Sequence, residues 1–120
     1  MSGIYNETYF RNHPEEASKD GVLYLLVLVH KRTNKRECVK IGIAAGKNWK
    51  SVNKRASGYG PYTNRTLRTY TSTLYNVWKL EQALHQEFLE HKFIPKEKFG
   101  GYTECFNYDS WKEICLSIPA

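Results

Sequence analysis

Apolar residues first concentrate between Val22 and His30, where both alternating sets are hydrophobic: Val22, Tyr24, Leu26 and Leu28 on one face, Leu23, Leu25, Val27 and Val29 on the other. A segment apolar on both faces predicts a central strand covered on both sides. The polar run Lys31-Arg32-Thr33-Asn34-Lys35-Arg36 supplies a turn, and Cys38 to Ile43 returns with Val39, Ile41 and Ile43 on one face, which predicts an antiparallel hairpin. From Lys47 to Ser57 the spacing becomes helical, with Trp49, Val52 and Ala56 on one stripe and Gly58 as a stop. Thr66 to Ser72 is rich in β-branched and aromatic residues and predicts a third strand. The clearest helix runs from Thr73 to Lys92, where Val77, Leu84 and Phe88 keep helical spacing with Leu74 and Leu80 beside them. Tyr102 to Phe106 reads as a short strand or edge segment, and Ser110-Trp111-Lys112-Glu113 as a capping box opening a last short helix toward Leu116. Residues 1–20 read as a polar, irregular arm ahead of a domain over 21–120. The fold class expected is α/β of the α+β type: a small three-stranded antiparallel sheet flanked by helices, in the order ββαβα with a short C-terminal helix.

Composition narrows this picture only a little. Hydrophobic content of 41% and charged content of 25% over 120 residues are values of one ordinary globular domain, and they exclude wholesale disorder. The longest apolar run falls well short of the ~20 residues that span a bilayer, so no membrane partner is expected. The first residues lack the basic start and apolar core of a secretory signal, and the expected location is the cytosol. Cys38, Cys105 and Cys115 are odd in number and far apart, and His13, His30, His85 and His91 are equally scattered. That pattern argues against a disulfide framework or a four-thiolate zinc site and for reduced, buried thiols.

Charge changes the picture more. The formal charge is +6, yet between Lys31 and Arg68 stand eleven Lys and Arg against one acid, Glu37. A basic half of this kind is the footprint of a polyanionic partner, because Lys and Arg displace counterions condensed on phosphates; the bland reading is a solvated basic face. One acid is also out of place. Glu81 lies on the apolar stripe of the main helix, four residues after Val77 and three before Leu84. A carboxylate there is costly unless it is paired, hydrogen-bonded or bound to a metal.

Several of these segments resemble motifs of the GIY-YIG nucleases. Gly21-Val22-Leu23-Tyr24 resembles the first name motif with one residue inserted, and Lys40-Ile41-Gly42 the second with lysine in place of tyrosine, a variant familiar in a viral and bacterial branch of the family. Lys54-Arg55-Ala56-Ser57-Gly58-Tyr59 resembles the Lys-Arg-x-Ser-x-Tyr end of the first helix in a bacterial excision-repair nuclease. Leu80-Glu81-x-x-Leu84-His85-x-x-Phe88 resembles the helix that carries the family's metal-binding glutamate, and Thr103-Glu104-Cys105-Phe106 a Glu-Trp-Phe ending with Cys105 where tryptophan is usual. Two departures stand out: Gly42 and Arg55 are 13 residues apart, longer than usual, and the tyrosine of the second motif is lost. Gly3-Ile4-Tyr5 matches the name motif by letter but lies in the polar arm with no partner strand, and reads as a decoy.

The resemblance implies a divalent-metal-dependent endonuclease from a virus or mobile element. It would hydrolyse phosphodiester bonds of nucleic acid, DNA foremost. The implied catalytic set is Tyr24, Lys40, Arg55, Tyr59 and Glu81: Glu81 holding one Mg2+ (or Mn2+), Arg55 clamping the phosphate, and Tyr24 or Tyr59 taking the proton of the attacking water with Lys40 beside them. Nucleic-acid contacts are expected from Lys31, Arg32, Lys35, Arg36, Lys47, Lys50, Lys54, Arg65 and Arg68. The alternative is a catalytically inactive nucleic-acid-binding or partner-binding module on the same fold. In that reading Tyr24 is a core tyrosine, Lys40 snorkels from its strand and Glu81 is a buried acid salt-bridged to Arg55. His85 reads as a packing or supporting residue, and Trp49, Trp78 and Trp111 as core.

Overall fold

The doubly apolar segment forms strand β1, Asp20–His30, and it is the axle of the fold. The computed structural model describes residues 5–46, 59–97 and 102–119. Strand β2, Arg36–Ala45, runs antiparallel on one side of β1, with Gly21 opposite Ala45 and Leu28 opposite Cys38. Strand β3, Tyr62–Thr73, runs antiparallel on the other, with Asp20 opposite Thr73 and His30 opposite Tyr62. A fourth strand, β4 (Cys105–Asn107), pairs with Cys38–Lys40 of β2 and gives the order β3-β1-β2-β4. The three-stranded expectation is therefore short by one. Three residues carry too little pattern to declare a strand, and Cys105–Asn107 becomes one because β2 offers a free edge.

Each face of β1 has its own core. Leu23, Leu25, Val27 and Val29, with Val39 and Ile41 of β2, pack against helix α3, Leu74–Glu87, through Leu74, Val77, Trp78 and Leu84. Val22, Tyr24, Leu26 and Leu28 face the other way and cluster with Cys38, Tyr59, Tyr62 and Cys105. Thr73 caps α3, its Oγ1 accepting from the Asn76 N–H at 3.2 Å. Gly21 lets the helix settle on the sheet: a Cβ there would stand 2.7 Å from the Leu74 Cα. The helix ends at Glu87 rather than at Lys92. Leu89–His91 tightens into a single 3₁₀ turn, and the chain then extends so that Lys92 bridges to Phe106 and the Phe93 N–H bonds the Cys105 carbonyl at 3.1 Å.

The arm holds more structure than its polarity suggests, forming α1, Glu7–Asn12, and α2, Pro14–Ala17. Asn6 caps α1 by accepting from the Tyr9 N–H at 2.7 Å, and Phe10 enters the α3-side core, 5.5 Å from the Tyr75 ring and 5.4 Å from Trp78. The last helix, α4, covers Trp111–Ser117. Its expected capping box does not form: Ser110 is itself helical, and the acceptor is Asn107, whose Oδ1 takes the Ser110 N–H at 3.1 Å. The helix expected over Lys47–Ser57 lies outside the described residues.

Candidate active site

The hairpin register places Tyr24 opposite Gly42 and Lys40 opposite Leu26, on the sheet face turned away from α3. Gly42 is required by contact. A Cβ on it would lie 2.6 Å from the Tyr24 hydroxyl, so the phenol rests directly on the β2 backbone. Lys40 is buried, with 4% of its surface exposed, so it does not snorkel. Its Nζ donates to Glu104 Oε1 at 3.1 Å and lies 5.2 Å from the Tyr24 ring centroid and 6.0 Å from that of Tyr59. Burial favours the neutral amine, but Tyr24, Glu104 and Tyr59 outweigh it and hold the ammonium above its ordinary pKa. Tyr59 is hydrogen-bonded to Tyr24, and burial pushes its phenol up to about 12 against the opposing effect of Lys40.

Glu81 comes from α3 and is 1% exposed. Among the described residues its one hydrogen bond is from Gln82 Nε2 at 3.4 Å, and it makes no ion pair. Burial, and then the negative charge of Glu104, push its carboxyl up to about 8, with Lys40 acting against them. One turn on, His85 Nε2 donates to the Ile41 carbonyl at 3.4 Å and the ring meets Phe106 edge-on at 5.0 Å. Burial holds that imidazole below its ordinary pKa. Glu104 itself is pushed up by burial, but the positive charge around it, that of Lys40 foremost, outweighs this and its carboxylate sits below the ordinary value.

Glu81, Gln82, His85, Lys92, Thr103 and Glu104 line one pocket of about 200 Å³. Among the described residues no three His, Cys, Asp or Glu groups come together as a ready cation cage. A buried carboxyl without an ion-pair partner among the described residues, with a second carboxylate on the same pocket, nevertheless fits a divalent cation of the Mg2+ type. Such ions are commonly held by one or two carboxylates, with water and substrate phosphate completing the shell.

The structure thus gathers Tyr24, Lys40 and Tyr59 and brings Glu81 to the same neighbourhood, while Arg55 lies outside the described residues. Glu104 is the residue that the expected site set omitted. Its signal was present: an acid in the Glu-Cys-Phe stretch, next to a segment that had to pair with the lysine strand. The basic residues do not share one surface. Lys31, Arg32 and Lys35 stand exposed on the hairpin turn. Arg36, Arg65 and Arg68 lie opposite Val29, Val27 and Leu25, and so project on the α3 side, away from Lys40. Lys47, Lys50 and Lys54 are outside the described residues. Cys38 and Cys105 are buried free thiols, as expected, and their mutual hydrogen bond together with burial raises the Cys38 pKa.

Comparison with known families adds one decisive match, the T5orf172 domain, over residues 21–118. The chain belongs to the T5orf172 domain family. The family is phage-associated and stands among the GIY-YIG/HNH-like endonuclease-type families, which gives this domain a nucleic-acid-related setting. The T5orf172 match begins at Gly21, so it takes in the hairpin, α3, β4 and α4 and leaves α1 and α2 outside. No curated protein and no solved structure shows a significant match to the chain. No helix among the described residues is long and apolar enough to cross a membrane.

Proposed function

We propose that this T5orf172 domain is a divalent-metal-dependent endonuclease of the GIY-YIG type, acting on nucleic acid and on DNA foremost. The observation that carries the reading is Glu81: a fully buried carboxyl without an ion pair among the described residues, opening with Glu104 onto one pocket beside Lys40. Structural acids are seldom left in that condition.

Phosphodiester hydrolysis needs a deprotonated water, neutralised phosphate charge and a stabilised leaving oxygen. A divalent cation bound on Glu81 supplies charge neutralisation at the phosphate and at the leaving oxygen. Lys40, kept charged by its surroundings, holds the phosphate or a phenolate nearby. Of the two phenols, Tyr59 is pushed away from ionisation by burial, so we assign proton acceptance to Tyr24, to which Lys40 stands closer; Tyr59 then orients it. The water oxygen bonds to phosphorus as its proton passes to Tyr24 in its phenolate form, and the bond from phosphorus to the leaving sugar oxygen breaks, that oxygen taking a proton from solvent. Arg55 remains the phosphate clamp that the family resemblance implies.

The test is nicking of supercoiled plasmid with Mg2+ or Mn2+ by wild type and Glu81→Ala side by side. Metal-dependent nicking by the wild type, falling by ~10²-fold or more in the variant, is the expected result. A folded wild type that is inert across metals and substrates would overturn the reading. One observation favours a second reading, a binding module without catalysis: Lys40 is already engaged by Glu104. That reading predicts salt-sensitive binding without cleavage, unchanged in Glu81→Ala.

A further inference from the structure

A second cleft lies away from the pocket beside Glu81 and is larger than it. It has a volume of about 470 Å³ and is lined by Val29, Asn34, Arg36, Arg65 and Tyr108. Its floor is the end of β1, where Val29 pairs with Arg36 on β2, while Arg65 on β3 pairs with Val27 two residues back. The two arginines therefore rise from the strands flanking β1, about 12 Å apart at the backbone once the two-residue offset is counted, a span their long side chains can close. Tyr108, in the turn after β4, forms the wall, with the Arg36 guanidinium 5.9 Å from its ring centroid.

Among the described residues nothing in the cleft answers this positive charge. No carboxylate lines it, and neither Arg36 nor Arg65 forms an ion pair among the described residues. The acid next in sequence, Glu37, belongs elsewhere: its Oε2 accepts from the Tyr62 hydroxyl at 3.3 Å and from the Lys96 N–H at 3.4 Å. The positive track also continues. An irregularity in the β1–β3 pairing, at Leu67, puts Arg65 and Arg68 on the same face despite their spacing of three. They stand opposite residues about 6.6 Å apart along β1, and the Arg68 Nε is buried with no acceptor among the described residues.

Planar guanidinium forks suit phosphate oxygens, and an aromatic wall beside them suits a base ring. We propose that this cleft is a second nucleic-acid contact, on the face of the sheet opposite Lys40. It grips one nucleotide of a single strand, the phosphate between Arg36 and Arg65 and the base against Tyr108. The inference rests on the nucleic-acid reading above but not on cleavage. It gives the domain a hold on the strand some distance from the bond it cuts.

The test uses full-length Glu81→Gln in EDTA, so that cleavage plays no part, and a fluorescein-labelled single-stranded oligodeoxynucleotide followed by anisotropy across a salt series. Adding Arg36→Ala or Arg65→Ala should weaken binding and lower the log–log salt slope by about 0.7, the value of one single-strand phosphate contact. Tyr108→Leu should weaken binding roughly 10-fold with the slope unchanged, as loss of one stacked base does. Tyr108→Phe, which keeps the ring, should bind like the parent and controls for folding. Arg11→Ala, on exposed α1, sets the background for loss of any surface charge. Arginine variants indistinguishable from Arg11→Ala would overturn the proposal, as would a Tyr108→Leu effect equally large on a blunt duplex. If the parent binds no nucleic acid at all, the nucleic-acid reading itself falls; if it binds and these variants are silent, this inference alone falls.

Discussion

Glu81 and Glu104 share one pocket, yet their environments drive them in opposite directions. Glu81, buried with no ion pair among the described residues, is pushed up to about 8; Glu104, against the Lys40 ammonium, is held down. The sign of the pH dependence follows. Folded Glu81 keeps a proton that the unfolded chain gives up near the ordinary value of 4.5, so its contribution is complete below that value and is lost as pH rises through about 8. Glu104 contributes above its ordinary value, and that part is lost only on acidification. In EDTA, the melting temperature should therefore fall between about pH 5 and pH 8, with Glu81→Gln flattening the fall and stabilising the protein by on the order of 3 kcal/mol at the upper end. Calorimetry across that range checks it; a slope identical in both proteins would contradict it. Lys40→Met should cost about 3–5 kcal/mol, because it takes the Lys40 ion pair away from a buried carboxylate, and most of that loss should return in Lys40→Met/Glu104→Gln. Urea titration of the three proteins closes the cycle. The sequence singled out Glu81, Tyr24, Lys40 and Tyr59 because each breaks a local pattern or repeats a motif. It could not pair Lys40 with Glu104, since that contact spans 64 positions and depends on β4 docking beside β2.

At the scale of elements, the hairpin and α3 were legible because each is long enough to display its own period. Their ends were not. The main helix stops at Glu87 because the chain beyond it is needed to pair with β4, and the last helix lacks its expected cap because Asn107, rather than Ser110, supplies the acceptor. Two glycines mark where elements meet, and they should fail differently. Gly21→Ala sets a Cβ 2.7 Å from the Leu74 backbone, which cannot move without lifting α3. The expected cost is about 1–3 kcal/mol, read from chemical denaturation. Gly42→Ala meets the Tyr24 phenol first, at 2.6 Å, and relief comes from tilting that ring. Its loss should therefore appear chiefly as reduced nicking activity, and a variant with full activity would remove Tyr24 from the site.

For the molecule as a whole, the arm ahead of β1 is part of the packing. Phe10 sits in the α3-side core between Tyr75 and Trp78, and the Leu74 N–H bonds the Lys19 carbonyl at 2.7 Å, so the arm is tied to the start of α3. Phe10→Ala should destabilise the protein by about 3–5 kcal/mol, measured by thermal or urea unfolding, whereas a dispensable extension would show almost no change. A six-residue helix has too few turns to announce itself by periodicity and forms only with a surface to pack on, which is why the arm read as irregular. By itself the sequence determined a central strand buried on both faces, a hairpin, one long amphipathic helix, an anomalous acid and a concentration of positive charge. These are local properties, set by alternation, helical period and composition. Only the tertiary structure decided that the acid shares a pocket with Glu104, that a buried Lys40 stays charged, and that Arg36, Arg65 and Arg68 point away from it. Those outcomes depend on strand register, where a one-residue change exchanges the two faces, and register is settled by the packing of distant segments rather than by any one of them.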